Sequence, residues 1–206
     1  MASIREPMLY PLAIAELRPT QITVGMRQVE SKRNAWRRKA GDNNADFGGQ
    51  RIFPVILGPR DRHYVVDHHH LIRALLEEGV KNVLVTVDIK LMRLEFDAFW
   101  FVLDNHGWIH PFDDEGRRRS YEDIPKSMGD LIDDPFRSLA GELRLIGGFA
   151  KDTTPFSEFL WADYLRRRIA RRTVETDFAT ALAQAHGLAK SEEADYLPGW
   201  CGVVSR

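Results

Sequence analysis

The sequence predicts a mixed α+β protein, in which a small α/β core is followed by a mainly helical C-terminal part. Residues 52–89 have the pattern strand, turn, strand, helix and strand, because short runs of apolar β-formers flank one segment of helical periodicity. After residue 93, helical patterns alternate with turn-rich segments. We therefore expect two domains, a core over residues 1–92 and a helical extension over residues 93–206 that packs on it.

In the first half, the elements follow from local patterns. Residues 9–12 predict a short strand, residues 14–17 at most one helical turn, and residues 26–39 an exposed, charged helix. Three more strands are expected over residues 52–57, 64–67 and 80–89, with a helix between the last two that ends near Glu78. Pro54 places part of the second strand at an edge or a start.

The second half is richer in helical patterns. Residues 95–103 predict an apolar helix, and residues 104–121 a loop-like segment. Further helical patterns cover residues 127–131, 135–146, 155–172 and 175–189.

Composition excludes several classes of protein. The chain has 206 residues, of which 44% are hydrophobic, so it can bury a core. A formal net charge of −1 argues against non-specific coating of nucleic acid, although local basic patches remain possible. The single cysteine, Cys201, fits a reducing compartment. Because we find no apolar run typical of a signal peptide or membrane helix, we expect a cytoplasmic protein without a membrane partner.

The segment with the most chemistry lies where the strand over residues 64–67 meets the next helix. Apolar residues from Leu71 onward fall at the i, i+3, i+4 spacing of a helix. A helix N-terminus has free backbone N–H groups and favours negative charge, which makes it a natural phosphate site. The residues at this point are an acid and three imidazoles, Asp67, His68, His69 and His70. They add proton-transfer groups to the predicted phosphate site.

Two other interpretations of these four residues stay open. Three histidines suggest a metal site with Asp67, but adjacent side chains diverge, and metal sites usually draw ligands from wider spacings. The histidines can instead be structural, with one at the turn, one packed and one in solvent. Asp67 itself is either the N-cap of the helix or a functional acid.

Several short motifs follow one another in order between residues 17 and 85. They are Leu17-Arg18-Pro19-Thr20-Gln21, Pro54-Val55-Ile56, Tyr64-Val65-Val66, Asp67-His68-His69-His70, Ala74-Leu75, Gly79 and Val83-Leu84-Val85. Together they resemble the core of the ParB/sulfiredoxin-like superfamily. With the helical second half included, the chain is most similar to the group called putative ParB-like nucleases.

The resemblance implies a phosphate site at residues 67–70, because relatives of this fold bind nucleotide phosphates at the corresponding turn. In kinase-like relatives the motif acid and a glutamate on the preceding helix serve the chemistry. Asp67 matches the first, and Glu30 is the candidate for the second. With His69 they form the predicted catalytic set, and Asp67 is also the candidate metal ligand.

Two departures from the family pattern affect the phosphate site. His68 replaces the motif glycine, so that the backbone approaches phosphate less closely, and His70 replaces a bidentate arginine. Arg73 or Lys32 is expected to supply the missing charge beside His68, His69 and His70. The turn has no cysteine, which argues against sulfinic-acid reduction, and the second half shows no helix-turn-helix pattern.

Three functions remain as hypotheses. The main one is a phosphoryl-transfer or phosphate-ester-hydrolysing enzyme that binds ATP, ADP, CTP or another phosphorylated compound with Mg²⁺ or another divalent metal. The alternative is a DNA nuclease or nucleic-acid-binding protein, in which a histidine or a bound metal activates water and basic helices hold the backbone. A non-catalytic nucleotide sensor is the third. The sequence does not choose the oligomeric state.

Overall fold

The computed structural model describes residues 9–41 and 51–202. These described residues form seven α-helices and seven β-strands, so the predicted mixed α+β class is confirmed. The strands are β1 (Leu9–Ala13), β2 (Leu17–Arg18), β3 (Thr23–Val24), β4 (Ile52–Gly58), β5 (Arg62–Val65), β6 (Asn82–Lys90) and β7 (Ile132–Asp133). The helices are α1 (Met26–Gly41), α2 (His69–Glu77), α3 (Phe96–Asn105), α4 (Pro135–Leu145), α5 (Ser157–Arg166), α6 (Arg171–Thr176) and α7 (Phe178–Ala189).

The chain divides into two compact units that interleave along the sequence. Unit 1 comprises Met1–Ile22, Val29–Pro111 and Ser120–Leu131, and unit 2 comprises Thr23–Gln28, Phe112–Arg119 and Ile132–Arg206. The predicted boundary after residue 92, and the packing of a helical extension on the core, stay predictions.

The described part of unit 1 is built on a five-stranded sheet with the order β1-β6-β4-β5-β2. β4 pairs antiparallel with β5 and parallel with β6, so β4 lies in the middle of the sheet. Pro54 lies near the start of β4, before the pairing with β5 begins at Val55. Because Pro54 lies outside the pairing of β4 with β5, its missing N–H does not cost a hydrogen bond between these two strands.

One face of this sheet packs against α3. Ile56 and Tyr64 from the sheet form a buried cluster with Phe99 and Leu103 from the helix. The contact is close at Gly58, where a Cβ atom would lie 2.7 Å from ring atoms of both Phe99 and Tyr64. A residue without a side chain is therefore needed where the strand passes under the two rings.

Unit 2 is mainly helical. Its core joins residues of α4, α5 and α7, and its largest fully buried side chains include Trp161, Tyr164 and Leu139. β3 and β7 add a short parallel pair in which Thr23 lies opposite Ile132. No helix in the described residues is long and apolar enough to cross a membrane.

Candidate active site at the Asp67–His70 elbow

The backbone turns sharply between β5 and α2, over residues 67–70, which we call the elbow. β5 ends at Val65, and His68 is the N-cap of α2 with φ 65° and ψ 21°. This left-handed conformation is unfavourable for a residue with a side chain, and strained residues of this kind cluster at functional sites. The elbow is therefore a candidate site on backbone grounds as well as by its residue types.

Asp67 presents its carboxylate to solvent. Its side chain is 72% exposed, and Oδ1 accepts a hydrogen bond from the His68 N–H at 2.6 Å. His68, not Asp67, is the N-cap of α2, and no side chain caps this helix end. The interpretation of Asp67 as the helix cap is therefore wrong, and the carboxylate is available for other contacts.

His68 lies beside that carboxylate. Its Nε2 atom is 3.8 Å from Oδ2 of Asp67, and its side chain is 40% exposed. The ring of Phe53 meets the imidazole edge to face, with 5.9 Å between the ring centres. Asp67 and His68 thus form an acid–imidazole pair at the surface of unit 1.

His69 has the opposite environment. It is 3% exposed, and Nε2 accepts a hydrogen bond from the backbone N–H of Thr20 at 3.1 Å. Burial lowers the pKa of His69 from 6.5 to about 3, so the ring is neutral at pH 7. Since Nε2 is an acceptor, the proton of the neutral ring is on Nδ1. Water and phosphate do not reach this ring, and its predicted catalytic and phosphate-binding roles stay predictions without geometric support.

Thr20 holds the elbow to the rest of unit 1. Its hydroxyl donates to the carbonyl of Val65 at 2.8 Å, and its own carbonyl accepts from the N–H of His110 at 2.9 Å. Thr20 itself is 1% exposed. It belongs to the first of the motifs that carry the family resemblance, but the sequence gives no sign that it contacts His69.

Arg73 is occupied by contacts within unit 1. Nε donates to Glu77 at 2.7 Å, and Nη1 donates to the carbonyls of Met128, Gly129 and Leu131 at 3.3, 2.6 and 3.1 Å. These bonds attach residues 128–131 to α2. A phosphate role for Arg73 stays a prediction.

Glu30 is not brought to the elbow. It pairs with Arg33 at 3.0 Å, and Arg33 in turn pairs with Glu78 at 2.7 Å, just beyond the C-terminal end of α2. Asp67 precedes the other end of this nine-residue helix, which at 1.5 Å per residue is about 12 Å away. The predicted catalytic pair of Glu30 and Asp67 therefore has no support in this geometry.

Two other predicted phosphate ligands lie on helices of unit 1. His70 is in the first turn of α2 and is partly exposed, which keeps it at the elbow. Lys32 lies on α1, two residues after Glu30. Both roles stay predictions.

The metal prediction needs a set of ligands. Within residues 9–41 and 51–202, no group of three or more His, Cys, Asp or Glu side chains has a geometry that could hold a metal ion. A cation at Asp67 would therefore need most of its ligands from water or from a substrate, as Mg²⁺ often does when it binds phosphates.

A model of the family described as putative ParB-like nuclease matches residues 10–167. The chain belongs to this family. The match includes Thr20 and the elbow, and it confirms the resemblance seen in the sequence.

A solved structure is similar to this ParB-like protein over nearly its whole length. The crystal structure of protein Atu1540 from Agrobacterium tumefaciens is 55% identical, with a TM-score of 0.90 over 96% of this chain and 100% of that one. No curated protein matches the chain.

Proposed function

We propose that this ParB-like protein hydrolyses phosphodiester bonds of nucleic acid at the elbow, with Asp67 and His68 as the reacting pair. The observation that carries the proposal is the exposed carboxylate and imidazole, 3.8 Å apart, at the start of a helix. The family match supports nucleic acid as the substrate class. His68 thus takes the role that the sequence suggested for His69, because His68 is exposed and His69 is not.

The imidazole of His68 acts as general base. It takes a proton from a water molecule, whose oxygen attacks phosphorus and forms the new P–O bond. The ester P–O bond breaks, and the leaving oxygen receives a proton from solvent. The Asp67 carboxylate orients the imidazole and stabilises the imidazolium that forms, as the acid does in a Ser-His-Asp triad. Their present separation of 3.8 Å is longer than a hydrogen bond, and catalytic hydrogen bonds often shorten when substrate binds.

The helix start holds the reacting phosphate. The N-terminal end of α2 carries partial positive charge, and His70 lies in its first turn. A divalent metal is part of the proposal only as an ion that Asp67 and the substrate phosphate bind together. Such an ion would neutralise charge on the phosphate.

The nuclease has more support than the other two hypotheses. For phosphoryl transfer from ATP, ADP or CTP, Glu30 is the candidate second acid and Arg73 or Lys32 the substitute charge. Glu30 pairs with Arg33, and Arg73 donates to the carbonyl of Gly129. The family match points to nucleic acid. A nucleotide sensor predicts binding without turnover, which calorimetry with the three nucleotides combined with a phosphate-release assay detects.

Cleavage of nucleic acid tests the proposal. Supercoiled plasmid and labelled single-stranded oligonucleotide are incubated with the protein in Mg²⁺, in Mn²⁺ and in EDTA. We expect Asp67→Asn and His68→Asn each to reduce the rate about 100-fold or more, the lower range for loss of a general base. Asparagine is chosen at His68 because it tolerates the left-handed conformation.

The matched control is His186→Asn, which removes an exposed histidine of α7 in unit 2. It should cleave at the wild-type rate. Cleavage that survives both elbow substitutions, or no cleavage by the wild type under any of these conditions, would overturn the proposal.

A further inference from the structure

Many arginines of the described residues pair with acids, but Arg18, Arg60 and Arg62, which lie in one place, do not. Arg33 pairs with Glu78 and Arg166 with Asp134, and many other arginines have similar partners. Within the described residues, Arg18, Arg60 and Arg62 form no ion pair with a carboxylate; their contacts are with a carbonyl or with aromatic side chains. Uncompensated arginines that share one place are a candidate site for an anion.

The sheet brings these three side chains together around Tyr64. In the parallel pairing of β2 with β5, Arg18 lies opposite Tyr64. Arg62 precedes Tyr64 by two residues on β5, so both point to the same face. Burial raises the pKa of the Tyr64 hydroxyl, while a hydrogen bond from Arg62 and the charges of Arg62, Arg18 and Arg60 act against this rise.

Phe96 and Lys126 complete the surface. The guanidinium carbons of Arg60 and Arg62 lie 5.0 and 5.6 Å from the centre of the Phe96 ring, within cation–π range. Arg18 donates through Nη1 to the backbone carbonyl of Lys126, and Lys126 is an exposed residue. We call Arg18, Arg60, Arg62 and Lys126 around Tyr64 and Phe96 the arginine face.

Two acids lie close in sequence to these arginines. Glu16 and Asp61 are the carboxylates whose charges act on His63. His63 lies between Arg62 and Tyr64 on β5 and therefore points to the other face. In the part of the chain that the structure describes, neither acid forms an ion pair with Arg18, Arg60 or Arg62, whose contacts are with a carbonyl and with aromatic side chains.

We infer that the arginine face binds the phosphate backbone of a nucleic-acid strand whose scissile bond lies at the elbow. Guanidinium groups form charge-assisted, bidentate hydrogen bonds with phosphate oxygens, and within the described residues these three arginines have no carboxylate partner. Arg62 and Asp67 are five residues apart, which is at most roughly 17 Å at 3.3 Å per residue, so a single nucleic-acid strand can contact both. The inference rests on the proposed function for its choice of nucleic acid as the partner.

Binding is measured apart from cleavage. The full-length Asp67→Asn protein is titrated into fluorescein-labelled oligo(dT), and into a labelled duplex, at several KCl concentrations. We expect Arg60→Ala/Arg62→Ala in this background to bind the single strand about tenfold more weakly at low salt. The slope of log affinity against log salt should fall by about 1.4, which is 0.7 for each of two lost phosphate contacts.

Arg117→Ala/Arg167→Ala is the matched control, since it removes the same charge from two exposed arginines that pair with Glu115 and Asp163. It should change the affinity less than threefold and leave the slope nearly unchanged. Arg60→Lys/Arg62→Lys keeps the charge and should restore most of the slope. Urea unfolding midpoints of all variants show whether each one is folded.

Equal effects of the two double-alanine variants, or no binding of oligo(dT) and duplex by the Asp67→Asn protein, would overturn the inference. The two proposals fail separately. Binding that depends on Arg60 and Arg62, without cleavage by the wild type, leaves the arginine face standing and removes the elbow chemistry. Cleavage that depends on Asp67, with binding insensitive to the two arginines, does the reverse.

Discussion

The backbone N–H of Thr20 donates to Nε2 of His69 across 49 residues of sequence, in a buried part of unit 1. This bond joins the start of α2 to the segment that follows β2. Together with the bond from the Thr20 hydroxyl to the Val65 carbonyl, it fixes both ends of the elbow. The buried hydrogen bonds of Thr20 therefore hold the backbone on which the exposed pair Asp67 and His68 lies.

Removing the His69 ring should destabilise the fold. His69→Ala leaves the Thr20 N–H buried without an acceptor and creates a cavity, so we expect a loss of about 2–4 kcal/mol in the free energy of unfolding. Urea denaturation measures it. The control His68→Asn should change this free energy by less than about 0.5 kcal/mol, as is usual at exposed positions. Equal losses in the two variants would mean that the Thr20–His69 bond does not support the elbow.

His69 should also make stability depend on pH. Its pKa is about 3 in the folded protein and 6.5 in a free side chain, so between these values the unfolded chain binds one more proton. Stability is therefore lost as pH falls through this window, at up to about 1.4 kcal/mol per pH unit for a full proton. The comparison of wild type with His69→Gln by urea denaturation between about pH 4 and pH 6 isolates this contribution. Parallel pH profiles of the two proteins would contradict it.

Arg73 should control the order of residues 128–131. Its side chain donates to the carbonyls of Met128, Gly129 and Leu131 and pairs with Glu77. Arg73→Ala removes these charged hydrogen bonds, at an expected cost of about 2–3 kcal/mol, and should speed amide hydrogen exchange across residues 128–131. Arg38→Ala, at an exposed position on α1, is the matched control and should leave that exchange unchanged. Unchanged exchange in Arg73→Ala would show that other contacts hold the segment.

The longer elements could be predicted because their signals are local. The strand patterns over residues 52–57 and 80–89 correspond to β4 and β6, and the predicted helix over residues 26–39 corresponds to α1. The two-residue strands β2, β3 and β7 could not be foreseen, since they exist only through pairing with residues distant in sequence. Such pairing leaves no periodicity in the strand itself.

The predicted single helix over residues 155–172 is wrong. α5 ends at Arg166 and α6 begins at Arg171, with Ile169 buried between them and Ala170 extended. No glycine or proline marks this break. Ile169 packs in the hydrophobic core of unit 2, and helical propensity does not include such tertiary packing.

For the candidate site, the sequence predicted the turn that carries the acid and the three histidines, but not which of these side chains are exposed. An acid and three histidines after a strand predict the elbow, yet only the fold separates exposed His68 from buried His69. In a turn, exposed and buried side chains do not alternate with a fixed period. The sequence therefore carries no signal that His68 is exposed and His69 is buried. The arginine face depends on the pairing of β2 with β5, so its residues could not be grouped from the sequence alone.

A buried ion pair in unit 2 should show strong coupling. Nη2 of Arg166 lies 2.6 Å from Oδ2 of Asp134, whose side chain is 1% exposed and whose Oδ1 accepts the N–H of Phe136 at the start of α4. Arg166→Met leaves this carboxylate buried without its cation, and we expect a loss of about 3–5 kcal/mol in the free energy of unfolding. Asp134→Asn keeps the helix cap, so the double variant Asp134→Asn/Arg166→Met should be more stable than Arg166→Met alone.

The pH profile of Arg166→Met provides a second test of this pair. Burial already raises the pKa of Asp134 above 3.8, with Arg166 opposing the rise, so removal of the arginine raises it further. A carboxyl group whose pKa is raised by folding stabilises the protein below its unfolded pKa, and this contribution is lost as pH rises through the folded pKa. Arg166→Met should therefore lose stability relative to wild type as pH rises above about 4, and the double variant should not. Strictly additive losses at pH 7, with parallel pH profiles, would show that the two side chains do not interact.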